Sequence, residues 1–128
     1  MTAITEDYVS FETAKLLKEK GFDEKCLHYY EDNRHRDEDI KFSNWWNIGY
    51  SNSEIGRRFT APTLQMACKW LREIHNIDII PFHEKLPNDC YWCRIEKYPY
   101  IVYIQDPIYK KYEESLDAAI RYCLEHSI

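Results

Sequence analysis

A chain of 128 residues with 45% apolar side chains is long enough to bury the core of one domain and too apolar to be disordered. Its 17 basic and 22 acidic side chains leave a net charge of −5, which works against non-specific attraction to nucleic acid or anionic membrane. Three glycines leave little room for a glycine-rich cofactor loop. Five irregularly spaced cysteines, with no basic and apolar leader, predict reduced thiols and a cytoplasmic protein without a membrane span.

The first element is a helix over residues 11–20. Ser10 is a good N-cap, and Phe11, Ala14 and Leu17 recur at helical spacing with Lys15, Lys18 and Glu19 off that face. Gly21 stands where a left-handed residue ends a helix, and Phe22 is placed to fold back onto Leu17. Cys26 to Tyr30 has strand composition and is followed by a charged turn, Glu31 to Asp39. Phe42 to Tyr50 is a second strand of a hairpin, and Ser51 to Ala61 reads as a connection.

A second helix is expected to begin near Pro62, with Leu64, Ala67, Cys68, Leu71 and Ile74 as its apolar stripe and Met66 and Trp70 on the flank. Asn76 is its stop. Ile77 to Ile80 reads as a buried strand ended by Pro81. Cys90 to Glu96 and Tyr100 to Gln105 are strands of a hairpin turning at Lys97-Tyr98-Pro99. The last helix runs from about Tyr112 to His126 on the stripe Leu116, Ala119, Ile120, Cys123 and Leu124, with Glu113 and Glu114 in its first turn. The expected architecture is a single α+β domain spanning 1–128: a small antiparallel sheet with about three helices packed on it, in the order α-β-β-α-β-β-β-α.

Chemistry-bearing motifs are few. Cys90-Tyr91-Trp92-Cys93 is a C-x-x-C pair, but it falls in an expected strand, where residues three apart face opposite ways, and it lacks the setting of a redox helix. Cys90 and Cys93 are equally weak metal candidates: the other pairs, Cys26 with His28 and Cys123 with His126, do not supply the second close pair of a zinc site. Nothing in the sequence places His28, His35, His75 or His83 beside a nucleophile, and no P-loop, dinucleotide or hydrolase fingerprint is present. No cofactor is therefore expected.

The richest constellation is basic and aromatic. Residues 1–40 and 77–128 are net negative, whereas residues 41–76 are net positive and hold Lys41, Trp45, Trp46, Tyr50, Arg57, Arg58, Phe59, Lys69, Trp70 and Arg72. Cations with flat rings suit single-stranded nucleic acid, and the same residue types dominate protein-interface hot spots. Solvated arginines around core tryptophans would produce the same pattern.

Three segments carry a resemblance. Val9 to Phe22 (VSFETAKLLKEKGF), Ala61 to His75 (APTLQMACKWLREIH) and Tyr112 to Ile120 (YEESLDAAI) resemble the opening, central helix and terminal helix of small hypothetical proteins from phages and prophages of gut bacteria. The resemblance covers about a third of the chain. It implies a mobile-element origin and a cytoplasmic location, and it carries no catalytic residues.

The leading expectation is a non-enzymatic accessory protein that binds a host or phage protein through Trp45, Trp46, Tyr50, Arg57 and Arg58. The alternative is a nucleic-acid binder using segment 41–72 with Lys69 and Arg72. A second alternative is a small enzyme without a recognisable motif, which needs a pocket holding at least two convergent polar groups.

Overall fold

The computed structural model describes residues 4–31, 40–42, 49–97, 99, 101–104 and 109–128. It is an α+β fold of three helices and two small antiparallel sheets, in the order α1 (Phe11–Glu19), β1 (His28–Tyr30), β2 (Lys41–Phe42), β3 (Phe59–Thr60), α2 (Leu64–His75), β4 (Ile77–Glu84), β5 (Cys90–Lys97), β6 (Ile101–Ile104) and α3 (Tyr112–His126). The chain forms two compact units, residues 1–63 and 64–128. The strands expected in one sheet are divided between them, one sheet in each.

In the first unit α1 starts and stops as its sequence dictates. The Ser10 hydroxyl accepts from the Thr13 N–H at 3.3 Å, occupying one of the donors a helix start leaves unpaired. Gly21 adopts φ +92°, and the N–H groups of Gly21 and Phe22 donate to the carbonyls of Lys18 and Leu17. That pair of bonds is a Schellman ending, and it swings Phe22 into the core beside Leu17, both essentially without solvent exposure.

The sheet of this unit has the order β2-β1-β3, with Tyr29 facing Lys41 on one side and Thr60 on the other. Strand β3 lies inside the stretch expected to be a connection. Two residues are too short to show a period, so only the pairing of Phe59 and Thr60 with Tyr30 and Tyr29 reveals it. Strand β1 pairs with β2 at Lys41–Phe42, which overlaps the expected partner strand Phe42 to Tyr50 only at Phe42. Residues 43–48 of that expected strand, and 32–39 of the expected charged turn, lie outside the described residues. A further antiparallel bridge joins Cys26 to Tyr50 by two backbone hydrogen bonds of 2.9 Å. Helix α1 packs on β3, and Phe11 meets both Tyr30 and Phe59 edge-on. The Tyr30 hydroxyl donates to the Val9 carbonyl at 2.7 Å, while the Val9 N–H donates to the Pro62 carbonyl at 3.1 Å.

The second unit is a β4-β5-β6 meander with α2 and α3. Helix α2 begins at Leu64, two residues beyond Pro62, and its buried residues are Leu64, Ala67, Trp70 and Leu71. The expected stripe is thus rotated: Trp70 turns inward and stands edge-on to His75, while Ile74 lies out in solvent. A tryptophan removes more apolar surface from water than an isoleucine, so the rotation favours Trp70. Asn76 ends the helix in a left-handed conformation at φ 57°.

Strand β4 does not stop at Pro81; it continues to Glu84, and of its eight residues only Ile77 is buried. Pro81 is tolerated because β4 is an edge strand, where a residue lacking an N–H can face away from its neighbour. Helix α3 has the expected bounds, and all five expected stripe residues are buried along it.

Candidate interaction surface

The residues expected to form a binding face are divided between the two units. Trp45 and Trp46 lie outside the described residues. Tyr50, Arg57 and Arg58 belong to the first unit, and Lys69 and Arg72 to the second. Tyr50 is half-buried by its bridge to Cys26. Arg57 is exposed. Arg58 lies 5.1 Å from the centre of the Tyr29 ring and 3.9 Å from Glu31, so part of its charge is engaged within the protein. Lys69 and Arg72 are exposed one turn apart on α2.

An open depression of about 300 Å³ in the first unit is lined by Lys18, Gly21, Phe22, Asp23, Asn52 and Ser53. Its polar groups hold the fold. The Lys18 amine donates to the carbonyls of Gly56 and Arg58. Asn52, buried, donates to the Phe22 carbonyl at 2.8 Å and accepts from the Thr60 N–H at 2.9 Å. Asp23 accepts from both the N–H and the hydroxyl of Ser53, and these bonds hold its carboxyl below the ordinary carboxylate range. Glu54 is lowered in the same way by the N–H and hydroxyl of Ser51. The depression is a seam joining the end of α1 to residues 51–60.

None of the five cysteines forms a disulfide. Cys93 is buried on the side of β5 that meets α3, where its thiol lies 3.4 Å from the Ser115 hydroxyl. Cys90 is also buried, but strand alternation turns it to the other side, toward Glu84. The two thiols cannot converge on one ion, and no group of three or more His, Cys, Asp or Glu among the described residues is arranged to hold a metal. Burial pushes the Cys68 and Cys123 thiols up to about 12 and that of Cys26 up to about 11, and it raises Cys93 as well. Thiols held protonated in this way are poor nucleophiles and behave as small apolar side chains.

The histidines divide by surroundings. Burial lowers His28, which packs against the Tyr8 ring. Burial, with a smaller contribution from Lys97, lowers His75, whose Nε2 is buried without a hydrogen-bond partner. His83 stacks on Tyr91 at 4.2 Å and shares a 2.7 Å hydrogen bond with Asp89 through Nε2. An imidazole oriented by a carboxylate is one part of a general-base arrangement. Every residue from Pro81 to Asp89 is exposed, however, so no enclosed site surrounds it.

The register of β4 with β5 reveals a second candidate face. Residues directly opposite share a side, so Tyr91, Cys93, Ile95 and Lys97 lie with His83, Pro81, Ile79 and Ile77. Helix α3 covers that side: Tyr91 meets Tyr112, Cys93 meets Ser115, and Tyr103 stacks on Tyr122. The other side carries Asp78, Ile80, Phe82 and Glu84 of β4 with Glu96, Arg94, Trp92 and Cys90 of β5. There Phe82 and Trp92 stack, ring centres 4.4 Å apart and planes 14° from parallel. Ile80 and Phe82 remain 37% and 39% exposed, as large apolar side chains next to each other on one sheet face. Sequence reasoning missed this face because Pro81 was read as the end of a strand. The alternation Asp78-Ile80-Phe82-Glu84 against Cys90-Trp92-Arg94-Glu96 becomes visible once β4 runs past it.

Comparisons of the chain with protein-family models, with curated proteins and with solved structures find no match. No helix among the described residues is long and apolar enough to cross a membrane.

Proposed function

We propose that this chain is a cytoplasmic accessory protein of phage or prophage type that acts by docking onto another protein. The observation that carries the reading is the Phe82–Trp92 stack beside Ile80 on the sheet side opposite α3. Each ring of the stack restricts the other, so the apolar surface left exposed at Phe82 and Ile80 loses little conformational entropy on binding, which is the character of an interface anchor. The resemblance to small phage and prophage proteins supplies the context.

The test is affinity capture of the tagged full chain from bacterial lysate, with and without nuclease. Wild type is compared with Phe82→Ser and with the double variant Arg57→Glu, Arg58→Glu. The proposal expects a protein retained through nuclease treatment and lost in Phe82→Ser. If nothing is captured above a tag-only control, the docking reading fails.

A second reading, binding of nucleic acid through segment 41–72, is favoured by exposed Arg57 and by Arg58 over the Tyr29 ring. It expects capture that vanishes with nuclease, and affinity that falls steeply between low and physiological salt.

A further inference from the structure

We infer that the occupant of the Phe82–Trp92 face is a polypeptide segment carrying apolar side chains between basic ones. This deepens the docking reading above and rests on it. The argument comes from what surrounds the apolar strip. Asp78 lies at one end of β4 and Glu84 at the other, both exposed and both on the side of Ile80 and Phe82. They are six residue steps apart along the strand, a span of about 20 Å.

Asp78 also stands directly opposite Glu96, a like-charge pair across the strands, which costs stability where it occurs. Arg94 meets Glu96 at 2.8 Å and relieves part of that repulsion. Among the described residues of β4 and β5 on this side, Arg94 is the one cation beside the three carboxylates Asp78, Glu84 and Glu96. The strip is therefore an apolar platform with a negative charge at each end. A lysine or arginine at either end of a docked segment would neutralise those carboxylates, while the side chains between them cover Ile80, Phe82 and Trp92.

The same charges weigh against other occupants. Phosphates of a nucleic acid or an anionic membrane would be repelled by carboxylates at both ends of the strip. A second copy docked face to face would oppose acidic ends to acidic ends in either orientation.

The experiment uses the immobilised full chain and a random library of peptides of about 12 residues, long enough in extended form to cover the strip. Selected peptides are then measured against wild type, Phe82→Ser, and the double variant Asp78→Lys, Glu84→Lys. The second variant alters exposed residues only, so it reads out the face even if Phe82→Ser folds poorly; far-UV circular dichroism checks both. The expected peptides hold aromatic or aliphatic residues between lysines or arginines. Their affinity should fall at least about tenfold in each variant, as for loss of an interface anchor or of paired charges. Peptides lacking basic residues, or ones binding both variants as tightly as wild type, overturn the inference. So does self-association, or binding of a single-stranded oligonucleotide, that Phe82→Ser abolishes. A protein captured from lysate through nuclease treatment and lost in Phe82→Ser, but unaffected by the charge reversals, would leave the docking reading standing and defeat this one.

Discussion

Asn52 donates to the Phe22 carbonyl at 2.8 Å from a buried position while its own carbonyl oxygen accepts from Thr60 at 2.9 Å. One side chain thus pairs two backbone groups from segments 30 and 8 residues away in the chain. Asn52→Ala should leave a buried carbonyl and a buried N–H unpaired and destabilise the protein by about 2–4 kcal/mol. Asn52→Asp keeps an acceptor for Thr60 but loses the donor, so it should retain only part of that stability. Urea unfolding followed by circular dichroism separates the two.

Gly49 lies where an added Cβ would come within 2.7 Å of the Cys26 carbonyl. The obstacle is backbone held in the Cys26–Tyr50 bridge, which cannot rotate away as a side chain could. Gly49→Ala is expected to cost about 1–3 kcal/mol through forced displacement. Gly21→Ala has open space but must adopt φ +92°, and its expected cost is about 1–2 kcal/mol. Thermal melts of both variants test whether crowding or backbone conformation matters more here.

Stability should fall on either side of a plateau in pH. The folded state lowers the affinities of His28 and His75 for protons, so the unfolded chain binds more protons and stability declines as pH drops below their ordinary value of 6.5. The lowered carboxyls of Asp23 and Glu54 act in the same direction further into acid, below their ordinary values of 3.8 and 4.5. The raised thiols act oppositely: their contribution is intact below the ordinary value of 9.0 and is lost as pH rises toward 12. Unfolding midpoints measured from pH 5 to pH 10 should decline at both ends, and His75→Gln should shallow the acid decline.

The same burial makes a kinetic prediction for the thiols. Alkylation of Cys68, Cys93 and Cys123 at neutral pH should be slow in the native protein and fast in urea. Mass spectrometry of peptides after timed iodoacetamide treatment checks this residue by residue. Rapid native labelling of Cys93 would show that its packing beneath α3 is loose.

Pro81 removes a hydrogen-bond donor from the middle of an exposed edge strand otherwise rich in isoleucine and phenylalanine. Such an edge can pair with another copy, and proline interrupts the pairing. Pro81→Thr should therefore leave the fold intact and increase self-association, measurable as a concentration-dependent shift in sedimentation.

The parts of the fold legible in sequence are those with a strong local cause. Helix α1 was readable because Ser10 and Gly21 punctuate it, and α3 because its five-residue stripe has no competitor on the other face. Strand β3 was not, since the pairing that defines Phe59–Thr60 reaches about 30 residues back to β1. The burial of Trp70 in place of Ile74 was hidden for a similar reason: helical spacing admits either, and tertiary packing chooses. Of the expected binding residues, Arg57, Arg58, Lys69 and Arg72 are exposed, as charged side chains usually are, and Trp45 and Trp46 lie outside the described residues. The Phe82–Trp92 face depends on register, and register is a property of two strands together.

The bond from Val9 to Pro62, with Tyr8 paired to Thr63, fastens the beginning of the first unit to its end. A ribosome delivering this chain must release residue 63 before that clasp can close, so α1 waits for the strand it packs on through more than half of the unit's synthesis. The second unit is different: β4, β5 and β6 pair with their immediate neighbours in sequence, so each new strand meets its partner as it emerges. The order of synthesis and the order of closure therefore differ between the two halves, with the long clasp in the half that is made first.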